Sequence, residues 1–127
     1  MPDNAFVNRA IAIAVLCALF VSSAEAVREL VVIEKLQPAQ RVEGIVLDPS
    51  GAPIPNMTVT DCTEEWAAVL RSTTTDSNGH FRFSSQRGKS VYYLHFEQAL
   101  FNPLEIRLKL DKKAPQRAIT ARPHIGG

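Results

Sequence analysis

Nine residues in the second half of the chain, Thr75-Asp76-Ser77-Asn78-Gly79-His80-Phe81-Arg82-Phe83, restrict the fold more than any other stretch. Phe81 and Phe83 alternate with His80 and Arg82, which predicts a strand with aromatic rings on one face and polar groups on the other. The preceding Asp76, Asn78 and Gly79 supply turn chemistry. Asn-Gly tolerates positive φ, and an aspartate side chain accepts hydrogen bonds from backbone N–H groups two residues on. The segment predicts two strands joined by a tight hairpin turn, and so a β domain.

The same signals recur along the chain. Residues 30–36 (LVVIEKL) form a β-branched run ended by Pro38. In residues 41–48 (RVEGIVLD), Val42, Gly44 and Val46 share one face, and Ile45 and Leu47 put apolar groups on the other. Prolines 49, 53 and 55 mark a loop around Gly51, because each lacks a ladder donor. Residues 57–63 (MTVTDCT) predict a strand. Residues 66–75 (WAAVLRSTTT) begin with helix formers, but the run Thr73-Thr74-Thr75 favours a strand. Residues 90–97 alternate Tyr92, Leu94 and Phe96 with Tyr93 and His95. Residues 104–110 (LEIRLKL) turn leucines and Ile106 inward and Glu105, Arg107 and Lys109 to water, and a last short strand is expected within 117–121. The spacing predicts an all-β fold, a seven- to eight-stranded antiparallel β-sandwich.

Before that domain lies a leader. Arg9 precedes an apolar run from Ala10 to Val21, and Ser22-Ser23-Ala24-Glu25-Ala26 offers a small-x-small cleavage site. Twelve residues rise only about 18 Å as a helix, against a hydrocarbon core of roughly 30 Å. A cleaved signal peptide over 1–26 is therefore expected, with a secreted or periplasmic product and no stable membrane span after cleavage. Of the two cysteines, Cys17 leaves with the leader and Cys62 remains, which excludes an internal disulfide and favours a buried apolar thiol over a bridge between chains. A formal net charge of +1 provides no field to steer nucleic acid, and no nucleic-acid partner is expected.

Three groups of residues together resemble a known family. They are Val42-x-Gly44-x-Val46-x-Asp48-x-x-Gly51-x-Pro53-Ile54-Pro55, then Thr75-Asp76-x-Asn78-Gly79-x-Phe81-x-Phe83, then Tyr92-x-Leu94. This series is similar to the carboxypeptidase regulatory-like domain, whose fold is a prealbumin-like (transthyretin-like) β-sandwich. The resemblance places that domain over 41–122, after an extension at 27–40 and before a short tail at 123–127 that is expected to fray. It implies a non-catalytic module of the kind attached to enzymes or outer-membrane receptors. The chain departs from the family at Ala99-Leu100-Phe101, where such domains usually carry a glycine before an aromatic residue. Asp48, Gly51, Asp76, Asn78 and Gly79 are read as structural turn residues.

No motif points to catalysis. Asp76-x-Asn78-Gly79 lacks the further oxygen ligands and closing glutamate of a calcium loop. His80, His95 and His124 form no close pair, and no Ser-His-Asp spacing is present. No catalytic residue, metal ligand or cofactor is assigned. Two binding surfaces are expected instead. The first is the apolar excess at 30–33 with Ile45 and Leu47, suited to a protein partner at the cell envelope. The alternative is a face of His80, Arg82, Tyr93 and His95 on adjacent strands, suited to a carbohydrate or a peptide.

Overall fold

Period-two burial runs along the long central strands and assigns their inner faces. In the computed structural model, residues 29–115 and 118–126 are described; the expected leader and Cys17 lie outside them. Eight strands follow in order among these residues: β1 (Val31–Ala39), β2 (Glu43–Val46), β3 (Thr58–Cys62), β4 (Val69–Thr74), β5 (His80–Arg82), β6 (Val91–Glu97), β7 (Leu104–Leu110) and β8 (Ile119–Ala121). Five of them form one sheet in the order β1-β7-β6-β3-β4, and three form a second in the order β5-β2-β8. Tyr92, Leu94 and Phe96 of β6 face Phe81 of β5 and Val46 of β2 in a single core. The Phe81 and Phe96 rings meet edge to face across the two sheets, with centroids 5.2 Å apart. The layers thus pack as a β-sandwich.

The expected purely antiparallel arrangement is corrected. β1 runs parallel to β7, and β2 runs parallel to β8, so both sheets are mixed. Side-chain alternation is the same in either strand direction, which is why sequence periodicity leaves direction open. The extension before residue 41 belongs to the sheet: β1 pairs Val31 with Leu104 and Ala39 with Leu110, and Ala39 is buried in the core. Its register breaks between Ile33 and Gln37, where β1 carries a bulge.

The hairpin expected at Asp76–Gly79 is also corrected. β4 and β5 lie in different sheets, so this turn carries the chain from one layer to the other. The strand expected to begin at Trp66 begins at Val69, after a 3-10 turn over Glu64–Trp66. Glu65 and Trp66 both take positive φ there, at 57° and 65°. The tail is not frayed: the His124 carbonyl accepts from the Asn102 N–H, Gly126 donates to the Leu100 carbonyl, and Pro123 is fully buried. Leu100, where the family usually carries glycine, sits at φ 78° with its side chain 75% exposed. That left-handed conformation costs an L-residue on the order of 1 kcal/mol and explains why glycine suits the position.

Candidate functional site

Two aspartate turns of the same construction hold the ends of the sandwich in register. Asp48 Oδ1 accepts from the Ser50 N–H (2.9 Å), the Ser50 hydroxyl (2.6 Å) and the Ala52 N–H (3.0 Å), while its carbonyl accepts from Gly51 (2.9 Å). Asp76 Oδ1 accepts from the Asn78 and His80 N–H groups, both at 2.9 Å, and its carbonyl accepts from Gly79 (3.0 Å). These bonds are made to the ionised carboxylate and hold both aspartates below the ordinary value. The Ser50 hydroxyl is the main cause at Asp48, and the His80 N–H is the main cause at Asp76. A carboxyl depressed in the folded state stabilises above the unfolded pKa, and that contribution is lost as pH falls through the folded value. The melting temperature therefore declines below about pH 4, and Asp48→Asn/Asp76→Asn declines less steeply in the same thermal scans.

The glycines closing these turns differ. Both adopt positive φ, 90° at Gly51 and 77° at Gly79, but a Cβ on Gly51 meets open space whereas one on Gly79 falls 2.6 Å from the Val46 carbonyl oxygen. Chemical denaturation is expected to show a loss of about 1 kcal/mol for Gly51→Ala, from backbone strain alone. Gly79→Ala is expected to lose about 2 kcal/mol, because the clash adds to the strain.

The four candidate ligand residues do not share a face. His80 and Arg82 project from β5 on the small sheet, where Ile45 and Glu43 are their cross-strand partners. Tyr93 and His95 project from β6 on the outer side of the large sheet, opposite Arg107 and Glu105 of β7. The expectation that β5 and β6 are neighbours fails because the chain leaves one layer for the other after Phe83.

Around Tyr93 and His95 the structure assembles partners that the sequence reading left out. The Trp66 ring stands at 88° to the Tyr93 ring, 5.2 Å away, and the Arg107 guanidinium lies 5.9 Å from the Tyr93 centroid. His95 Nδ1 is 3.3 Å from Glu105 Oε1, and its Nε2 is 3.6 Å from Glu97 Oε2. Glu105, expected in water, is buried at 6% exposure beside this imidazole. Cys62 is a buried free thiol, as expected, and pairs with Tyr93 across β3 and β6. The Arg107 Nε is buried without a hydrogen-bond partner. The side chains of this face are therefore largely engaged with one another.

His80 and Arg82 instead border a cleft of about 490 Å³ that also takes in Glu43, Asp76, Thr73 and Thr74. Two carboxylates, Glu43 and Asp76, face one permanent cation, Arg82, and the His80 imidazole there. Among the described residues, no cluster of three or more His, Cys, Asp or Glu side chains is placed to hold a metal ion.

A third feature is apolar. Leu30, Val32, Ile33 and Leu36 are 51%, 40%, 37% and 42% exposed along β1 and its start. Ile45 and Leu47, expected in the same patch, are half-buried on the small sheet and do not join it. Four exposed apolar side chains thus gather on and just before one edge strand, β1, while Val69 and Leu70 are exposed on another, β4.

The sequence model of the carboxypeptidase regulatory-like domain matches residues 41–122. No curated protein matches the chain.

Proposed function

The chain belongs to the carboxypeptidase regulatory-like domain family, and from that premise we propose that it is a non-catalytic, exported interaction module that recruits a protein partner at the cell envelope through β1. The observation that carries this reading is the row of large apolar side chains exposed on and just before that edge strand. Such a surface is unfavourable in water, and covering it with a partner stabilises by about 25 cal/mol per Å² of apolar area. An edge strand also offers unpaired N–H and C=O groups to an incoming chain. The bulge after Ile33 and the charges of Glu34 and Lys35 discourage indiscriminate strand pairing while leaving Leu30, Val32 and Leu36 available.

The carbohydrate or peptide reading loses its composite face once His80 and Arg82 lie on the other sheet. Tyr93 and His95 remain for it, and both already have neighbours within the protein.

In-cell crosslinking followed by affinity purification tests the proposal, with the wild type and Val32→Glu/Leu36→Glu compared side by side. A partner captured by the wild type, lost in the variant and rebound when purified, supports it. Capture that is identical in both, or no partner in either, overturns it. The N-terminal mass of the isolated protein reads the export step, with cleavage expected before Val27.

A further inference from the structure

We infer that the corner of the small sheet where Arg41, Arg82, Ser84 and Ser85 meet binds a phosphate group. The inference is independent of the partner surface on β1. The ladder between β2 and β5 brings these residues together. Glu43 pairs with Arg82, and the Phe83 N–H donates to the Val42 carbonyl at 2.8 Å, so the same register sets Arg41 opposite Ser84. Val42 and Phe83 belong to the core. Alternation therefore turns Arg41, Arg82 and Ser84 to the outer face, with the two arginines on a diagonal of the ladder. With Gln40 and Ser85 they line a cleft of about 320 Å³. That volume lies at the lower end of small-molecule sites.

Charge selects the class of ligand. No carboxylate lines this cleft. Glu43, opposite Arg82 in register, borders the neighbouring cleft and forms no ion pair with it. Among the described residues neither Arg41 nor Arg82 has an ion-pair partner. Two fixed positive charges thus stand around an otherwise neutral concavity, which favours an anion there.

The hydroxyls select within that class. Ser84 Oγ accepts from Arg71 Nη1 at 3.1 Å, and Arg71 is itself fixed by the buried Asp61 carboxylate at 2.8 Å. The Ser84 hydroxyl is therefore held as a donor, and its own proton is left for an incoming acceptor. The Ser85 hydroxyl has no partner among the described residues. Gln40 contributes a wall, since its Nε2 is committed to the Ala114 carbonyl at 2.7 Å. Two guanidinium forks and two hydroxyls then approach from both strands and from the chain after β5. A carboxylate presents its oxygens in one plane, whereas a phosphate group spreads three terminal oxygens in space and satisfies donors from several directions.

Titration of the isotope-labelled protein with inorganic phosphate at constant ionic strength, followed by amide chemical shifts, tests the inference. Saturable shifts centred on residues 40–43 and 82–85 are expected, with acetate binding about tenfold more weakly or less. Arg41→Gln/Arg82→Gln is expected to weaken phosphate binding about tenfold or more, because it removes both charge-assisted donors. Both arginines are exposed, so the variant is expected to keep the fold. Should circular dichroism show otherwise, Ser85→Ala decides in its place, again by weakening the titration. Arg122→Gln, an exposed arginine beyond the other end of β2, is expected to change nothing. Co-sedimentation with phosphatidic acid vesicles reads the source of the phosphate. Pelleting that the double variant abolishes assigns a lipid headgroup, and phosphate binding without pelleting assigns a soluble phosphate. The absence of saturable shifts, an equal response to acetate, or a titration unchanged by the substitutions at the cleft overturns the inference.

Discussion

Gly44→Ala is expected to lower the melting temperature by about 15 °C in thermal circular dichroism, the equivalent of about 3 kcal/mol for a domain of this size. Gly44 is the inward-facing centre of β2, between Phe81 on β5 and Ile119 on β8. A Cβ built there lies 2.6 Å from the Ile119 carbonyl oxygen, 2.7 Å from Ile119 Cγ1 and 2.8 Å from Phe81 Cε1. No real Cβ tolerates such separations, and the nearest atom is backbone, so relief requires β8 to move away from β2 and strain its short ladder. Space for the Phe81 ring comes from the missing side chain at position 44. Adding Phe81→Leu to Gly44→Ala is expected to restore only part of the loss, because it removes the ring contact and leaves the carbonyl contact. Full recovery in the double variant would assign the clash to the ring alone.

Asp61→Ala is expected to cost about 3 kcal/mol in urea unfolding monitored by fluorescence. Asp61 is fully buried, with Oδ2 2.8 Å from Arg71 Nε and Oδ1 3.5 Å from Lys89 Nζ. Each cation also lies over an aromatic ring, Arg71 over Phe83 at 4.8 Å and Lys89 over Tyr92 at 4.7 Å. Removing the carboxylate leaves two positive charges, about three-quarters buried, facing each other with no counter-ion. The guanidinium would keep only the neutral Ser84 hydroxyl, which accepts from Nη1 at 3.1 Å, and its buried Nη2 already lacks a hydrogen-bond partner. Asp61→Asn keeps the shape and one acceptor and is expected to cost less than Asp61→Ala. Asp61→Leu combined with Arg71→Met and Lys89→Met is expected to recover much of the loss, since an apolar replacement removes the unpaired charges along with the pair. A triple variant as unstable as Asp61→Ala would mean that packing at position 61, rather than charge, sets the cost.

The buried position of Asp61 was legible in principle, because strand alternation in residues 57–63 puts it on the same face as Met57 and Val59, both core residues. An aspartate on a core face predicts a cation nearby. The identity of that cation was not legible, because Arg71 and Lys89 reach Asp61 from β4 and from the turn before β6. The same limit applies to Glu105. Its outward place on β7 read correctly, but an outward residue is taken as solvated unless a neighbouring strand supplies His95, and strand order is not a property of either segment alone. Trp66 shows a different failure. Its segment was read by propensity as the start of a strand, whereas the left-handed residues Glu65 and Trp66 fold the chain into a turn that lays the indole edge to face with Tyr93.

Local features survived intact. Asp48 and Asp76 cap their turns as expected, and Gly51 and Gly79 take the positive φ that their turns require. These depend on contacts within four residues, which the sequence lists directly. The candidate ligand face did not survive, because it required β5 and β6 to be neighbours.

The sequence by itself determined the strands of this protein, which of their faces turn inward, the two aspartate turns and the family. The strands, faces and turns follow from period-two alternation and from bonds between near neighbours in the chain, and the family follows from the resemblance of its motif residues and the match over 41–122. Only the tertiary structure decided that the Asp76 turn changes layer, that β1 and β2 find parallel partners, and that Asp61 and Glu105 are buried beside cations or histidine. Only the tertiary structure, too, decided that β1 and β4 are left as the long edges. Those outcomes depend on which strands share a sheet, and that is set by closing one core between two layers, a competition among distant segments that no single segment encodes.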